Sequence, residues 1–152
     1  MARIRIREMG LQDVPQVAEV EKACFTNPWI IDIYYQELNE NRYAKYFVIE
    51  WDEKIIGYAG MWLVIDEAQI TNIAVHPDFR GKKLGEKLFQ HVLLTAIQLG
   101  ATQLSLEVRK SNVVAQKMYH KFGLVPGGIR KNYYTDNQED AIVMWVKFNE
   151  QG

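Results

Sequence analysis

The chain has 152 residues, 48% of them apolar and 24% charged, which suits one globular domain with a sizeable core and argues against disorder. Its 18 basic and 19 acidic residues leave a net charge of −1, so a broad nucleic-acid footprint is not expected and any cationic site must be local. The single cysteine, Cys24, precludes an internal disulfide, no Cys/His spacing suits zinc so no metal site is expected, and no apolar run approaches the ~20 residues of a membrane span. A soluble, cytoplasmic protein is expected, since MARIRIREMG also lacks the apolar run of a signal peptide.

RIRIRE alternates with period two and predicts a first strand. Asp13, three residues before Gln16 and with Pro15 in the first turn, predicts a capped helix whose apolar stripe is Val14, Val17, Ala18 and Cys24 or Phe25. FTNPW breaks it, and a short helix is expected from about Trp29 to Leu38. AKYFVIEW, KIIGYAGMWLVI and AQITNIAVH, rich in β-branched and aromatic residues, follow at short intervals and predict an antiparallel meander. From Leu84 the period changes, with Leu84, Leu88, Val92, Ala96 and Leu99 at helical spacing until Gly100. QLSLEVR predicts a strand, SNVVAQKMYHKFG a helix capped by Ser111 or Asn112 and ended by Gly123, and DAIVMWVKF a closing strand. The sum is a mixed α/β sheet of about seven strands with about four helices, and the absence of repeats or linkers suggests one domain over 1–152.

VHPDFRGKKLGEKL places two glycines around a pair of lysines where a helix opens. A helix entrance exposes unpaired N–H groups and a partial positive charge, so an anionic ligand is one reading and a solvated basic turn the other. The turn is not a P-loop, because the GxxxxGK spacing with a following Ser or Thr is absent, and it is not GxGxxG.

NIAVHPDFRGKKLGEKLFQHV resembles the acetyl-CoA-binding segment of the GNAT superfamily of N-acetyltransferases, whose pattern is Gln/Arg-x-x-Gly-x-Gly/Ala. Arg80 and Gly85 match its ends, and Lys83 stands where the central glycine is usual. LEVRKSNVVAQKMYHKFG is similar to a run in the bacterial ribosomal-protein alanine N-acetyltransferases, a likeness that extends to CFTNPW, DEAQITNIAVHPD and IRKNYYTDNQEDAIVM. The resemblance implies a GNAT-like acyl-CoA N-acyltransferase fold with a mostly antiparallel sheet, acetyl-CoA as co-substrate, and an acceptor that is the N-terminal alanine of a small-subunit ribosomal protein. It implies Glu107 as general base, Tyr119 as general acid and Asn112 as a coenzyme A contact.

On the ligand reading, backbone N–H groups of Gly81, Lys82, Lys83, Leu84, Gly85 and Glu86 hold the pyrophosphate, and Arg80, Lys82 or Lys83 supplies charge. The pantetheine arm then lies between Ile73, Ala74 and Val75 on one side and LEVR on the other, with the Val75 N–H reaching the thioester oxygen if the strand bulges there. Residue chemistry points the same way: Glu107 alternates with Leu106 and Val108, and Tyr119 follows Asn112 by two helical turns. Amine attack on a thioester needs a group to take the surplus proton and a donor for the departing thiolate. Phe25, Pro28 and Trp29 are candidates for the acceptor channel, and the resemblance implies that Tyr133 and Tyr134 clasp the peptide backbone. Each also has a structural reading: Glu107 as a solvent-facing strand residue, Tyr119 and the other aromatics as packing. Cys24, His76, His91 and His120 carry no nucleophile signature, so Cys24 reads as a small buried hydrophobe and His91 as a helix-surface residue. A lysine or small-molecule acceptor, or a non-catalytic acyl-CoA-binding module that has no need of Glu107 and Tyr119, are the alternatives.

Overall fold

The computed structural model describes residues 2–25 and 28–148. In chain order its elements are β1 (Ile4–Glu8), α1 (Val14–Cys24), α2 (Ile31–Glu40), β2 (Ala44–Trp51), β3 (Lys54–Val64), β4 (Glu67–Val75), α3 (Leu84–Gln98), β5 (Gln103–Arg109), α4 (Val113–Lys121), β6 (Val125–Arg130) and β7 (Ala141–Lys147). The strands form one seven-stranded sheet in the order β1-β2-β3-β4-β5-β7-β6. All neighbours are antiparallel except β4 with β5, so the mixed sheet and the β2-β3-β4 meander form as the sequence predicts.

Residues 46–50 of β2 and 55–61 of β3 are buried without interruption because helices cover both faces of the sheet. Strand alternation sorts them into two cores. Tyr46, Val48 and Tyr58 meet Val14, Val17, Val20 and Tyr34 of α1 and α2. Phe47, Ile49, Ala59 and Met61 meet Leu84, Leu88, Phe89 and Val92 of α3, in a cluster that also takes in Leu104, Leu106 and Val108 of β5. Glu107 is thereby turned to the opposite face of β5.

Three local expectations are corrected. Asp13 makes no side-chain cap to α1; its carboxylate instead accepts from the Gly10 N–H at 2.7 Å and from Arg7 at 2.7 and 2.9 Å. Arg7 also donates to Glu50 at 2.9 Å, and this guanidinium holds the Asp13 carboxyl below its ordinary pKa. Helix α2 begins at Ile31 rather than Trp29, because Ile30 is extended, with φ −72° and ψ 149°. Leu99 lies just past α3 and is 46% exposed, outside the buried stripe of Leu84, Leu88, Val92 and Ala96. Thr26 and Asn27 of the predicted FTNPW break lie outside the described residues.

The feature that positions the site is the short reach of the one parallel ladder. Strands β4 and β5 pair only at Glu67/Gln103, Ala68/Leu104 and Gln69/Ser105. Beyond that, β4 stays on β3 as far as Val75 and β5 stays on β7 as far as Arg109, so the sheet splits into a wedge.

Candidate active site

The wedge opens into a cleft of about 490 Å³. Ile70, Thr71, Asn72 and Ile73 of β4 form one wall, Leu106, Glu107, Val108 and Arg109 of β5 the other, and Tyr119 of α4 also lines it. Along β4 the ladder dictates which main-chain groups face the gap. The His76 N–H donates to the Ile56 carbonyl at 2.7 Å, so antiparallel alternation turns the N–H and carbonyl of Val75 away from β3. The Val75 carbonyl accepts from the Cys24 thiol at 3.4 Å. Val75 needs no bulge to do this; the bulge in β4 is elsewhere, where Gly60 pairs with Asn72 and Met61 with Ile70, leaving Thr71 as the extra residue.

At the far end of β4 the chain turns through Pro77–Phe79 into the mouth of α3. Gly81 has φ +81° and Lys83 has φ 61°, the left-handed conformation that glycine takes most readily. The lysine that departs from the family pattern thus keeps the backbone shape a glycine would give, at a cost of roughly 1–2 kcal/mol. The Lys87 N–H donates to the Lys83 carbonyl at 3.2 Å, which leaves the N–H groups of Leu84, Gly85 and Glu86 with no carbonyl inside the helix. The space before them is open: a Cβ on Gly81 would meet nothing within 4 Å, and one on Gly85 only Val75 Cγ2 at 3.8 Å. Buried Leu84 anchors the turn, Lys82 lies 5.5 Å over the Trp51 ring, and Glu86 pairs with Lys121. A linear anion reaching from this mouth into the wedge meets unpaired donors along its path, which fits a coenzyme A diphosphate and pantetheine arm.

Glu107 and Tyr119 both reach the cleft. The Glu107 side chain is 12% exposed and its Oε2 accepts from Arg130 Nε at 3.0 Å. Tyr119 is buried against Phe89, with ring centroids 5.0 Å apart, and burial pushes its hydroxyl pKa far above the ordinary value, so it keeps its proton. Asn112 also lines the cleft and settles the cap of α4, its Oδ1 accepting from the Ala115 N–H at 3.1 Å. Phe25, Trp29, Tyr133 and Tyr134 close the end away from α3; Pro28, at the same junction, is not among the lining residues.

Residues 14–124 match the acetyltransferase (GNAT) family. The chain belongs to that family. It is 55% identical over 145 residues to a Bacillus subtilis protein named provisionally as a ribosomal protein bS18-alanine N-acetyltransferase, covering 95% of this chain and 96% of the relative. The Escherichia coli K12 ribosomal protein bS18-alanine N-acetyltransferase is 35% identical over 141 residues, 91% of this chain and 94% of that one. The crystal structure of the ribosomal-protein-S18-alanine N-acetyltransferase from Escherichia coli superposes with a TM-score of 0.90 at 32% identity, over 99% of this chain and 97% of that one. The protein is an acetyl-CoA-dependent N-acetyltransferase with the GNAT fold, as the resemblance implied.

Two parts of this acetyltransferase site escape a reading of sequence motifs. Arg109 ties the β6–β7 loop to β5, donating to Asp136 at 2.9 Å, Asn137 at 3.2 Å and Glu139 at 3.3 Å and lying 4.0 Å over the Tyr134 ring. That clamp holds Tyr134 against the cleft; burial raises the Tyr134 pKa to about 12. Glu21 is 3% exposed and also lines the cleft. It accepts from the Tyr34 hydroxyl at 2.6 Å, the Trp29 N–H at 2.8 Å and the Tyr58 hydroxyl. Its only signal in the sequence is an acidic residue four after Val17 and seven after Val14, on the buried stripe of α1.

Proposed function

We propose that this protein acetylates the α-amine of a protein beginning with alanine, with a ribosomal protein of the bS18 type as acceptor. The observation that carries the reading is the meeting of Glu107 and Tyr119 in one cleft with the unpaired backbone of β4, in a chain 55% identical to a protein named for that reaction. Acetyl-CoA supplies the thioester carbonyl that the amine attacks. The Val75 N–H lies along the path of that thioester and polarises its oxygen. Glu107, held at Oε2 by Arg130, takes the surplus ammonium proton through a water at its other oxygen. Tyr119, which keeps its proton, gives it to the departing thiolate. Asn112, on the face of α4 that carries Tyr119, contacts the coenzyme.

An α-amine titrates near 7.7 to 8.0 and a lysine near 10.4, so at neutral pH the reactive neutral fraction of the α-amine is larger by a few hundredfold. A carboxylate working through water is matched to that acceptor, and the Trp29, Tyr133 and Tyr134 walls suit an extended peptide end. A ribosomal acceptor places the reaction in the cytoplasm, and the whole chain is read as one catalytic domain. The test is mass spectrometry on a short Ala-initiated peptide with an internal lysine, beside a copy with a blocked N-terminus. Acetylation of the free peptide alone is expected; rapid acetylation of the blocked copy refutes the α-amine assignment.

A further inference from the structure

The Glu21 network fixes the orientation of a side chain that no catalytic step above uses. Both tyrosine hydroxyls that reach Glu21 Oε1 donate to it. Burial raises the pKa of Tyr34 and of Tyr58 far above the ordinary value, so both hydroxyls keep their protons. The one proton of Tyr34 is given to Glu21, and its oxygen has only acceptor capacity left. Asn72 lies 3.1 Å from that oxygen and must therefore present its Nδ2 donor. Its Oδ1 is turned to the other side, where the Thr71 hydroxyl donates to it at 3.0 Å.

Gly60 gives the amide its room on that side. A Cβ on Gly60 would stand 2.6 Å from Asn72 Oδ1 and 2.7 Å from Thr71 Oγ1, so the glycine is the floor on which the amide lies. An amide nitrogen carries two N–H groups. One goes to Tyr34, and the other has no partner among the described residues, on a side chain that lines the cleft. Asn72 also sits at the β4 bulge, three residues before Val75.

Resting on the α-amine reading, we propose that Asn72 is a specificity-determining residue, its second N–H donating to the first peptide carbonyl of the acceptor, and that Glu21, acting through Tyr34, is the positioning residue that keeps that N–H facing the cleft. An N-terminal residue carries a carbonyl carbon bonded directly to the carbon that bears its amine, whereas a lysine ε-amine or an alkylamine does not. The contact therefore selects α-amines of peptides by binding, apart from the proton transfers at Glu107 and Tyr119.

The test is steady-state kinetics with an Ala-initiated peptide and a copy whose first peptide carbonyl is a thiocarbonyl, a poorer hydrogen-bond acceptor. Wild-type protein should show a KM about tenfold higher for the thio copy, the worth of one hydrogen bond to a buried partner. Asn72→Ala should raise KM for the ordinary peptide by a similar factor, remove the discrimination between the two, and leave kcat and acetyl-CoA affinity near wild type. Glu21→Gln, whose amide can donate to Tyr34 and so free the asparagine to flip, should reproduce the loss of discrimination. Should that variant unfold, Tyr34→Phe carries the same prediction. Tyr58→Phe removes a donor from the same carboxylate but not from the chain to Asn72, so it should keep the discrimination. An active wild-type protein that does not discriminate, or a Tyr58→Phe variant that loses discrimination as Tyr34→Phe does, overturns the assignment. A fall in kcat with both peptides in Asn72→Ala and an unchanged KM would place the N–H on the thioester oxygen instead and also overturn it. A wild-type protein inactive on both peptides sinks the α-amine acceptor itself.

Discussion

At the mouth of α3 the groups proposed to face the ligand are main-chain N–H groups, set by φ values of +81° at Gly81 and 61° at Lys83. In the cleft between β4 and β5 they are side chains: Glu107 on Arg130, Tyr119 on Phe89, and Asn72 on the Tyr34–Glu21 chain. The first region depends on backbone shape and open space, and holds a lysine in the left-handed conformation. The second depends on which oxygen carries a proton and which partner holds it, so single-atom changes there should matter more than changes of volume. Substitutions at the helix mouth should therefore weaken acetyl-CoA binding, and substitutions at the side-chain end should spare it.

The largest effect is expected at Glu107. Glu107→Gln keeps the shape and can still face Arg130, but it removes the proton acceptor; turnover should fall by about 10²-fold or more. Acetyl-CoA affinity measured by calorimetry should stay near wild type. Equal losses in turnover and in affinity would erase the proposed division of the cleft. Tyr119→Phe should come next, with a turnover loss of about tenfold to 10²-fold, since water can replace part of the donor. The Phe89 contact survives in that variant, so the thermal midpoint should move little. A wild-type rate would leave Tyr119 as packing alone.

How far the two regions were legible in the sequence follows from the same contrast. RGKKLG announces itself because glycines and a helix start are local features, and the structure adds only that Lys83 adopts the left-handed conformation that glycine takes most readily. LEVR announces Glu107 because strand alternation is also local: Leu106 and Val108 go to the core and Glu107 to the other face. The wedge itself was not legible, since nothing in AQITNIAV or QLSLEVR says that the parallel ladder ends after Gln69 and Ser105. Nor was the bulge at Thr71, where Gly60 of the neighbouring strand lies beneath Asn72. Glu21 shows the limit most plainly. An acid on an apolar stripe reads as an imperfection until Tyr34, Tyr58 and Trp29, from three separate segments, are found around it.

On the backbone side the expected effects are on affinity. A Cβ at Gly85 has only Val75 Cγ2 within 4 Å, at 3.8 Å, so the fold accepts a side chain there while the approaching diphosphate does not. Gly85→Val should fold with a near-wild-type thermal midpoint and weaken acetyl-CoA binding by about tenfold or more, because the N–H groups it shields are the ones a phosphate must approach closely. Unchanged affinity would move the diphosphate away from the helix mouth and leave the lysines as a solvated turn.

The smallest effect, and the most pointed, belongs to Lys83. Its φ of 61° costs a lysine roughly 1–2 kcal/mol that a glycine avoids, while glycine gives back roughly 0.4–1 kcal/mol through its freer unfolded chain. Lys83→Gly should therefore leave stability within about 1 kcal/mol of wild type. Its side chain makes no cap to α3, and a single exposed charge contributes at most about 1 kcal/mol to holding a phosphate. Acetyl-CoA affinity should accordingly stay within a few fold of wild type, or improve as the turn relaxes around the ligand. Lys83→Val supplies the opposite stress: a β-branched residue resists positive φ, so it should lose affinity and stability together. If Lys83→Gly binds acetyl-CoA as poorly as Gly85→Val does, the ligand is held by a side-chain charge after all, and the contrast between a backbone end and a side-chain end of the cleft collapses.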